Sequence, residues 1–219
     1  KQHAVLSLLD PLLEESEEAG KLPENVKICI REEARKTVRQ NYHLLYLEHR
    51  IIRTLQEAGV SVVLLKGAST AEFYPVPELR KSGDVDLFLP NPAQLSKAGE
   101  RMENLGFVKN PAHSVNHHEV YVTEKHVEVE LHTLLAEPFD DKETNRLMEE
   151  LQKEVAVQAG KKKLMGIEFP VLPDGIHAYY LLLHMLQHFL RAGFGLKLLC
   201  DWVVFWRHGV TEKELAQYK

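Results

Sequence analysis

The stretch Gly83-Asp84-Val85-Asp86-Leu87-Phe88-Leu89 constrains this chain more than any other. Two acids separated by one apolar residue sit in an otherwise hydrophobic run. A strand turns alternate side chains to opposite faces, so Asp84 and Asp86 share one face while Val85, Leu87 and Leu89 enter a core. Two carboxylates placed this way repel each other and do little for stability. A cation belongs between them, and a hard divalent metal is the usual one.

The segments around this stretch extend the pattern. Residues 60–65 are a short β-branched apolar run, read as a buried strand, and it ends at Lys66-Gly67-Ala68-Ser69. A glycine there, opening a helix, lets the backbone come close to an anion such as phosphate, although many strand ends carry Gly simply for a turn. Lys66 is either a phosphate counter-charge or an exposed residue. Residues 70–80 read as a short helix followed by the stiff loop Tyr74-Pro75-Val76-Pro77. Arg80, four residues before Asp84, is either one half of a structural ion pair or a triphosphate clamp. Residues 91–105 form a helix started by Asn91-Pro92 and ended by Gly106. Two strands follow, 119–123 and 127–132, joined by a turn at 123–126. In the second, Val127, Val129 and Leu131 face a core, and Glu128, Glu130 and His132 face the other way. In isolation that polar face is a solvated sheet surface. Beside an Asp-x-Asp strand it can supply a third carboxylate. His113, His117 and His118 are read as surface or substrate-edge residues, because 117 and 118 point to opposite faces and cannot share one metal.

The two ends are helical. Residues 1–58 include an acidic face at Glu14–Glu18 and a long amphipathic helix from about 23 to 58, closed by Gly59. His43 and His49 there are surface or packing residues. Residues 142–154 read as a helix, and 155–170 as a hairpin with Gly160-Lys161-Lys162-Lys163 as its solvated tip. Pro173-Asp174-Gly175 opens an apolar helix to Leu190 carrying His177, His184 and His188 on one face. Gly193 and Gly195 break it. A second helix over 196–206 holds Lys197 and Asp201 one turn apart, an ion pair along the helix. His184 and His188 have metal-pair spacing, but core or groove-lining histidines are the ordinary reading.

Length and charge exclude several classes. A chain of 219 residues with 44% apolar content is one ordinary domain, or a small one with a helical appendage. A net charge of −5 without a basic stripe is wrong for coating nucleic acid, although a local groove could hold a polyanion. No apolar run reaches the roughly 18 residues needed to span a bilayer, so no membrane partner is expected. The N-terminus lacks a signal peptide. Cys29 and Cys200 lie in apolar helical patterns and read as buried thiols in a reducing, cytoplasmic setting. The chain starts without Met and stops shortly after a helical pattern begins, which fits the ordered part of something longer.

In a mixed sheet the three strands can be neighbours, bringing Asp84, Asp86 and Glu130 to one edge. Three carboxylates can hold two Mg2+ ions, with Mn2+ as the alternative. One activates an attacking hydroxyl and the other holds a triphosphate. Gly67, then Asp84-Val85-Asp86, then Glu130 between Val129 and Leu131, resemble the signature of the polymerase-β-like nucleotidyltransferase superfamily. More narrowly, over about residues 40–206, the ordered set Leu65-Lys66-Gly67, Tyr74-Pro75, Arg80, Gly83-Asp84-Val85-Asp86-Leu87, Gly106-Phe107, Val129-Glu130-Leu131-His132, His184 and Asp201 is similar to the uncharacterised nucleotidyltransferase family of bacteria. The resemblance implies an α+β fold, with a small mixed-sheet, palm-like catalytic core (59–135). An N-terminal helical segment (1–58) and a hairpin with C-terminal helices (136–219) flank it. It implies that Asp84, Asp86 and Glu130 are catalytic and hold the metals. Lys66, Gly67, Ser69 and Arg80 would meet the NTP, and the C-terminal helices would close over it, presenting His184 or Lys197. The acceptor would be a hydroxyl on a small molecule, a protein or an RNA end. Two departures stand out: Ala68, not Gly or Ser, follows Gly67, and the gap from Gly67 to Asp84 is long. Glu128 also fits the apolar-acid-apolar pattern; Glu130 is preferred because the resemblance sets the acid before Leu-His. Competing readings are an inert nucleotide-sensing or protein-interaction module of the same fold, and a toxin–antitoxin component modifying tRNA or protein. A decayed site usually loses an acid, and all three are present here.

Overall fold

The structure, a computed structural model, describes residues 4–112, 114, 118–124, 127–193 and 195–208. The chain enters through two single-turn helices, α1 (Leu12–Glu15) and α2 (Glu17–Gly20), the second capped by Ser16 accepting the Ala19 N–H. Pro23 and Gly59 then bracket α3 (Glu24–Glu57), 34 residues long and about 51 Å at 1.5 Å per residue. Gly59 ends it with φ of 72°, and the N–H of Val60 returns to the Leu55 carbonyl, closing the last turn.

The remaining elements are β1 (Val63–Leu64), α4 (Ala68–Ala71), β2 (Val85–Phe88), α5 (Leu95–Asn104), β3 (Val108–Lys109), β4 (His118–Val122), β5 (Glu128–His132), α6 (Lys142–Gln158), β6 (Gly160–Leu164), β7 (Ile167–Val171), α7 (Asp174–Ala192) and α8 (Leu196–His208). The strands form one mixed sheet in the order β3-β4-β5-β2-β1-β7-β6. The pairs β2–β5 and β1–β7 are parallel, and the others are antiparallel. The expected α+β class, a mixed sheet flanked by N- and C-terminal helices, is what the chain adopts. Among the described residues no helix is long and apolar enough to cross a membrane.

Period-two alternation sorts the core into two layers. Leu64, Val85, Leu87, Leu89, Val129 and Leu131 point to one face, where Leu44, Ile51, Ile52 and Leu55 of α3 and Met102 of α5 cover them. Val63, Leu65 and Phe88 point to the other, beneath Leu151 and Val155 of α6, Ile176 and Leu181 of α7 and Phe205 of α8. Each such aliphatic or aromatic side chain, fully withdrawn from water, contributes about 1.5–3 kcal/mol. The acids of β2 and β5 lie on the second face, the one capped by the C-terminal helices.

Four expectations need correction. The helix after the first strand begins at Ala68 rather than 70, because Gly67 already makes the turn with φ of 68°. The lysine run is not a hairpin tip. Gly160–Lys163 lie within β6, and the tip is Met165-Gly166, with φ of 43° and 90°. Two consecutive positive φ values match the right-handed twist of the flanking strands, which fixes the turn there. Lys162 is half-buried and paired with Glu72 and Asp174. Cys29 and Cys200 are free but not buried thiols: Cys29 is exposed and Cys200 intermediate. α3 becomes buried only from Ile30, and Ile28 beside Cys29 is also exposed. Helix 91–105 is a 3-10 turn at Pro92–Gln94 before α5. His113, His117 and part of the 123–126 turn lie outside the described residues.

At Gly166 a Cβ would meet nothing within 4 Å, so only the positive φ resists substitution. Gly166→Ala should therefore cost about 1–2 kcal/mol in a denaturant titration, with the far-ultraviolet dichroism unchanged.

Candidate active site

Parallel pairing of β2 with β5 places Val85 beside Val129, Asp86 beside Glu130 and Leu87 beside Leu131. Side chains at one level of adjacent strands share a face, so Asp86 and Glu130 stand side by side, with Asp84 two residues back on the same face. The Asp86 carboxylate is 1% exposed. Lys66 Nζ lies 2.9 Å from its Oδ1, and His132 Nε2 lies 3.4 Å from that oxygen and 3.0 Å from Glu130 Oε2. The other oxygen, Asp86 Oδ2, is buried and meets no hydrogen-bond donor among the described residues.

Electrostatics follow from this crowding. Burial works against the Asp86 charge, but Lys66 and His132 outweigh it and hold the carboxyl well below the usual range. The charge on Asp86, together with burial, pushes Asp84 up. The hydrogen bond from His132 draws Glu130 down against its burial. Burial opposes the charged forms of Lys66 and His132, yet the acids raise both. Asp84 thus carries repulsion that Lys66 only partly relieves.

The segment leading to these acids is braced from two sides. Asn41 of α3 donates through Nδ2 to the carbonyls of Glu78 and Arg80, both at 2.7 Å, and accepts the N–H of Ser82. Gln40 donates to the Ser82 carbonyl. From the other side Asp201 of α8 receives Arg80 Nε at 2.7 Å, Arg80 Nη2 at 2.8 Å and the Tyr74 hydroxyl at 2.6 Å. Both charged side chains are 3% exposed. Arg80 also donates to the Ser82 hydroxyl and the Gly67 carbonyl. Of the two readings of Arg80, the buried ion pair is what the fold contains. The expected Lys197–Asp201 pair gives way to it: Lys197 donates instead to the Lys81 carbonyl. Burial and the neighbouring Arg80 lower the Lys197 pKa to about 8.

Two clefts of about 280 Å³ each meet at Lys66, Asp84, His184 and His188. One is lined further by Asp86, His118, Glu130, His132, the 134–137 segment, Tyr180 and Gln187. The other adds Gly67, Arg80, Ser82, Gly193, Gly195, Lys197 and Asp201. Most sequence-predicted site residues therefore border one continuous space. Glu130 lines it and Glu128 does not. Ser69 stands back: it is buried, and its hydroxyl is shared between the carbonyls of Leu65 and Lys66. His184 Nε2 lies 3.1 Å from Lys66 Nζ and 3.2 Å from His188 Nε2. Burial and Lys66 hold His184 well below its ordinary pKa, hence neutral. His177, on the same helix face, is a core residue packed edge-on against Phe73 and Phe205 and lowered to about 3 by burial.

One residue of this centre escaped the sequence reading. Glu48 of α3 is 1% exposed and lies directly behind Gly67. A Cβ on Gly67 would run into its Oε1, the far end of that side chain, and the φ of 68° is what requires the glycine. Burial, then the charge of Asp86, raises Glu48 to about 8. His118, read from the sequence as a surface or substrate-edge residue, lines the first cleft, where β4 pairs it directly with His132. A signal for Glu48 exists, since it falls between Leu44–Leu45 and Ile51–Ile52 on the apolar stripe.

The model of a family described as "Uncharacterised nucleotidyltransferase" matches residues 1–217. No protein of curated function matches the chain. An antigenic nucleotidyltransferase-like protein from Paracoccidioides brasiliensis is similar at 14% identity and TM-score 0.48, over 79% of this chain and 84% of that one. The lincosamide antibiotic adenylyltransferase LnuA, solved with lincomycin bound, is similar at 11% identity and TM-score 0.48, over 74% of this chain and 93% of that one.

Removing one partner of a buried ion pair strands the other's charge. Asp201→Asn should cost about 3–5 kcal/mol in equilibrium unfolding. Glu48 offers a pH test. Its carboxyl titrates near 4.5 unfolded and about 8 folded, so between these values the folded state holds the extra proton. The stability this group contributes below pH 4.5 is lost as pH rises to about 8. Glu48→Gln removes that loss. Its melting temperature relative to wild type should rise by roughly 5 °C or more between pH 5 and pH 8, read by scanning calorimetry.

Proposed function

The chain belongs to the uncharacterised nucleotidyltransferase family, and from that premise we propose that it moves a nucleoside monophosphate from an NTP to a hydroxyl acceptor, with Asp84, Asp86 and Glu130 as ligands of two divalent ions. The observation that carries this reading is the convergence of three carboxylates on one cleft with a buried Asp86 oxygen that meets no donor. Such an oxygen is costly unless a cation faces it. The donor set is all oxygen, which suits Mg2+, with Mn2+ as the alternative. When bound, the ions supply Lewis acidity to an acceptor hydroxyl and neutralise charge on the leaving pyrophosphate. On this reading the fold is of the polymerase-β-like kind.

The chain's own residues divide the work between the clefts. Lys66, Arg80 and Lys197 give the second cleft its positive charge, and the Gly67 turn lets the backbone approach closely. That side takes the triphosphate. Arg80 acts chiefly by fixing the 78–82 segment, since its donors are spent on Asp201, Ser82 and Gly67. Neutral His184 accepts a hydrogen bond from Lys66 at the junction of the clefts and so holds the ammonium between Asp86 and the phosphate side. The first cleft, with Glu130, Tyr180 and the apolar Leu134-Leu135-Ala136 wall, takes the acceptor. Its size suits a small molecule, near the lower end of ligand-pocket volumes.

Titration calorimetry with ATP, GTP, CTP and UTP, with and without Mg2+, tests this. One nucleotide should bind in a magnesium-dependent way, and Asp86→Asn should weaken it at least tenfold, about 1.4 kcal/mol. Equal binding by the variant would remove the metal assignment, and no binding by folded wild type would return the chain to an inert member of the fold.

A further inference from the structure

Cross-strand geometry gathers two imidazoles and a carboxylate on the same sheet face. His118 of β4 is the direct partner of His132 of β5, and Glu130 lies two residues before His132. All three therefore project to one side, from strands locked by pairing on both edges of β5. The rings of His118 and His132 have centroids 5.2 Å apart. One ligand atom from each of His118, Glu130 and His132 can be chosen so that all lie within 4.8 Å of one another. His132 Nε2 and Glu130 Oε2 are already 3.0 Å apart. Donors bonded to one ion at about 2.1 Å stand roughly 3.0–3.4 Å apart at right-angled or tetrahedral positions, so this pair has the spacing of ligands to a common ion. His118, within 4.8 Å of the other two donors, needs a change of its side-chain torsions to come in as the third ligand. All three residues are half-buried and line the first cleft, so the position is reachable from solvent with room for water or a substrate atom.

We propose that His118, Glu130 and His132 form a binding site for a divalent transition-metal ion, Zn2+ being the type, at the inner wall of the first cleft. Two imidazole nitrogens with one carboxylate are a donor set that Zn2+, Co2+ or Fe2+ accepts and that Mg2+, which demands oxygen, does not. Three protein ligands leave a coordination position open, the arrangement of a site that meets substrate and not of a purely structural one. The site shares Glu130 with the magnesium reading of the Asp84–Asp86 centre but needs neither Asp84 nor nucleotide. The two can therefore fail separately.

Untagged full chain, stripped with chelator, is titrated with Co2+ and followed by its visible absorption, then with Zn2+ in competition with a chromophoric chelator. One Zn2+ should bind at least 100-fold more tightly than Mg2+. His118→Ala should lose about 100-fold in Zn2+ affinity, whereas Asp84→Asn should stay within about threefold of wild type while losing magnesium-dependent nucleotide binding. Histidine-selective nitrogen NMR on the wild type removes any dependence on variant folding: Zn2+ should shift His118 and His132. Unchanged Zn2+ affinity in His118→Ala, or shifts confined to His184 and His188, would overturn the proposal.

Discussion

Parallel pairing of β2 with β5 sets Asp86 level with Glu130, and much of the molecule is arranged to make that tolerable. Parallel strands are buried on both faces, so the acids sit at depth, where two unpaired carboxylates would cost several kcal/mol. Lys66 and His132 each answer part of that charge. The C-terminal helices cover the same face, leaving Asp86 out of reach of water while Asp84 and Glu130 border the clefts. A strongly polar centre is thereby held between two apolar layers, one built by α3 and α5, the other by α6, α7 and α8.

Positioning and chemistry are divided among different residues. Arg80, Asp201 and Tyr74 are buried and mutually satisfied, and they tie the loop before the acids to α8. Asp84, Asp86 and Glu130 are incompletely satisfied and face the cleft. A fully paired charge stiffens structure, whereas an underpaired one invites a ligand. The same distinction separates His177, a core ring, from His184 and His188, which border the space two and three turns further along the same helix face.

Legibility in the sequence tracks locality. Asp84, Asp86 and Glu130 could be placed on one face because strand alternation is a local rule, and the glycine after the first strand marked a turn. Glu48 was hidden because α3 carries acids along much of its length, and only tertiary packing reveals which one is buried. His118 could be read only as a surface or substrate-edge residue, because its pairing with His132 depends on register, which no single strand encodes. The lysine run was misplaced because the real turn uses Met165, a residue without the usual turn chemistry. Arg80 and Asp201 could each be noticed, but their pairing spans 121 residues and rests on how α8 docks.

The manner in which α3 grips the loop before the acids has a consequence for how the protein can drift. Asn41 and Gln40 reach only backbone atoms of Glu78, Arg80 and Ser82. These two residues do not read the identity of the side chains they hold. Tyr42 and Glu33 of the same helix do, meeting the Glu78 carboxylate and the Lys81 ammonium. Drift at 78 or 81 therefore loses a side-chain contact and keeps the backbone grip, whereas a change at Asn41, which lines neither cleft, releases the backbone itself.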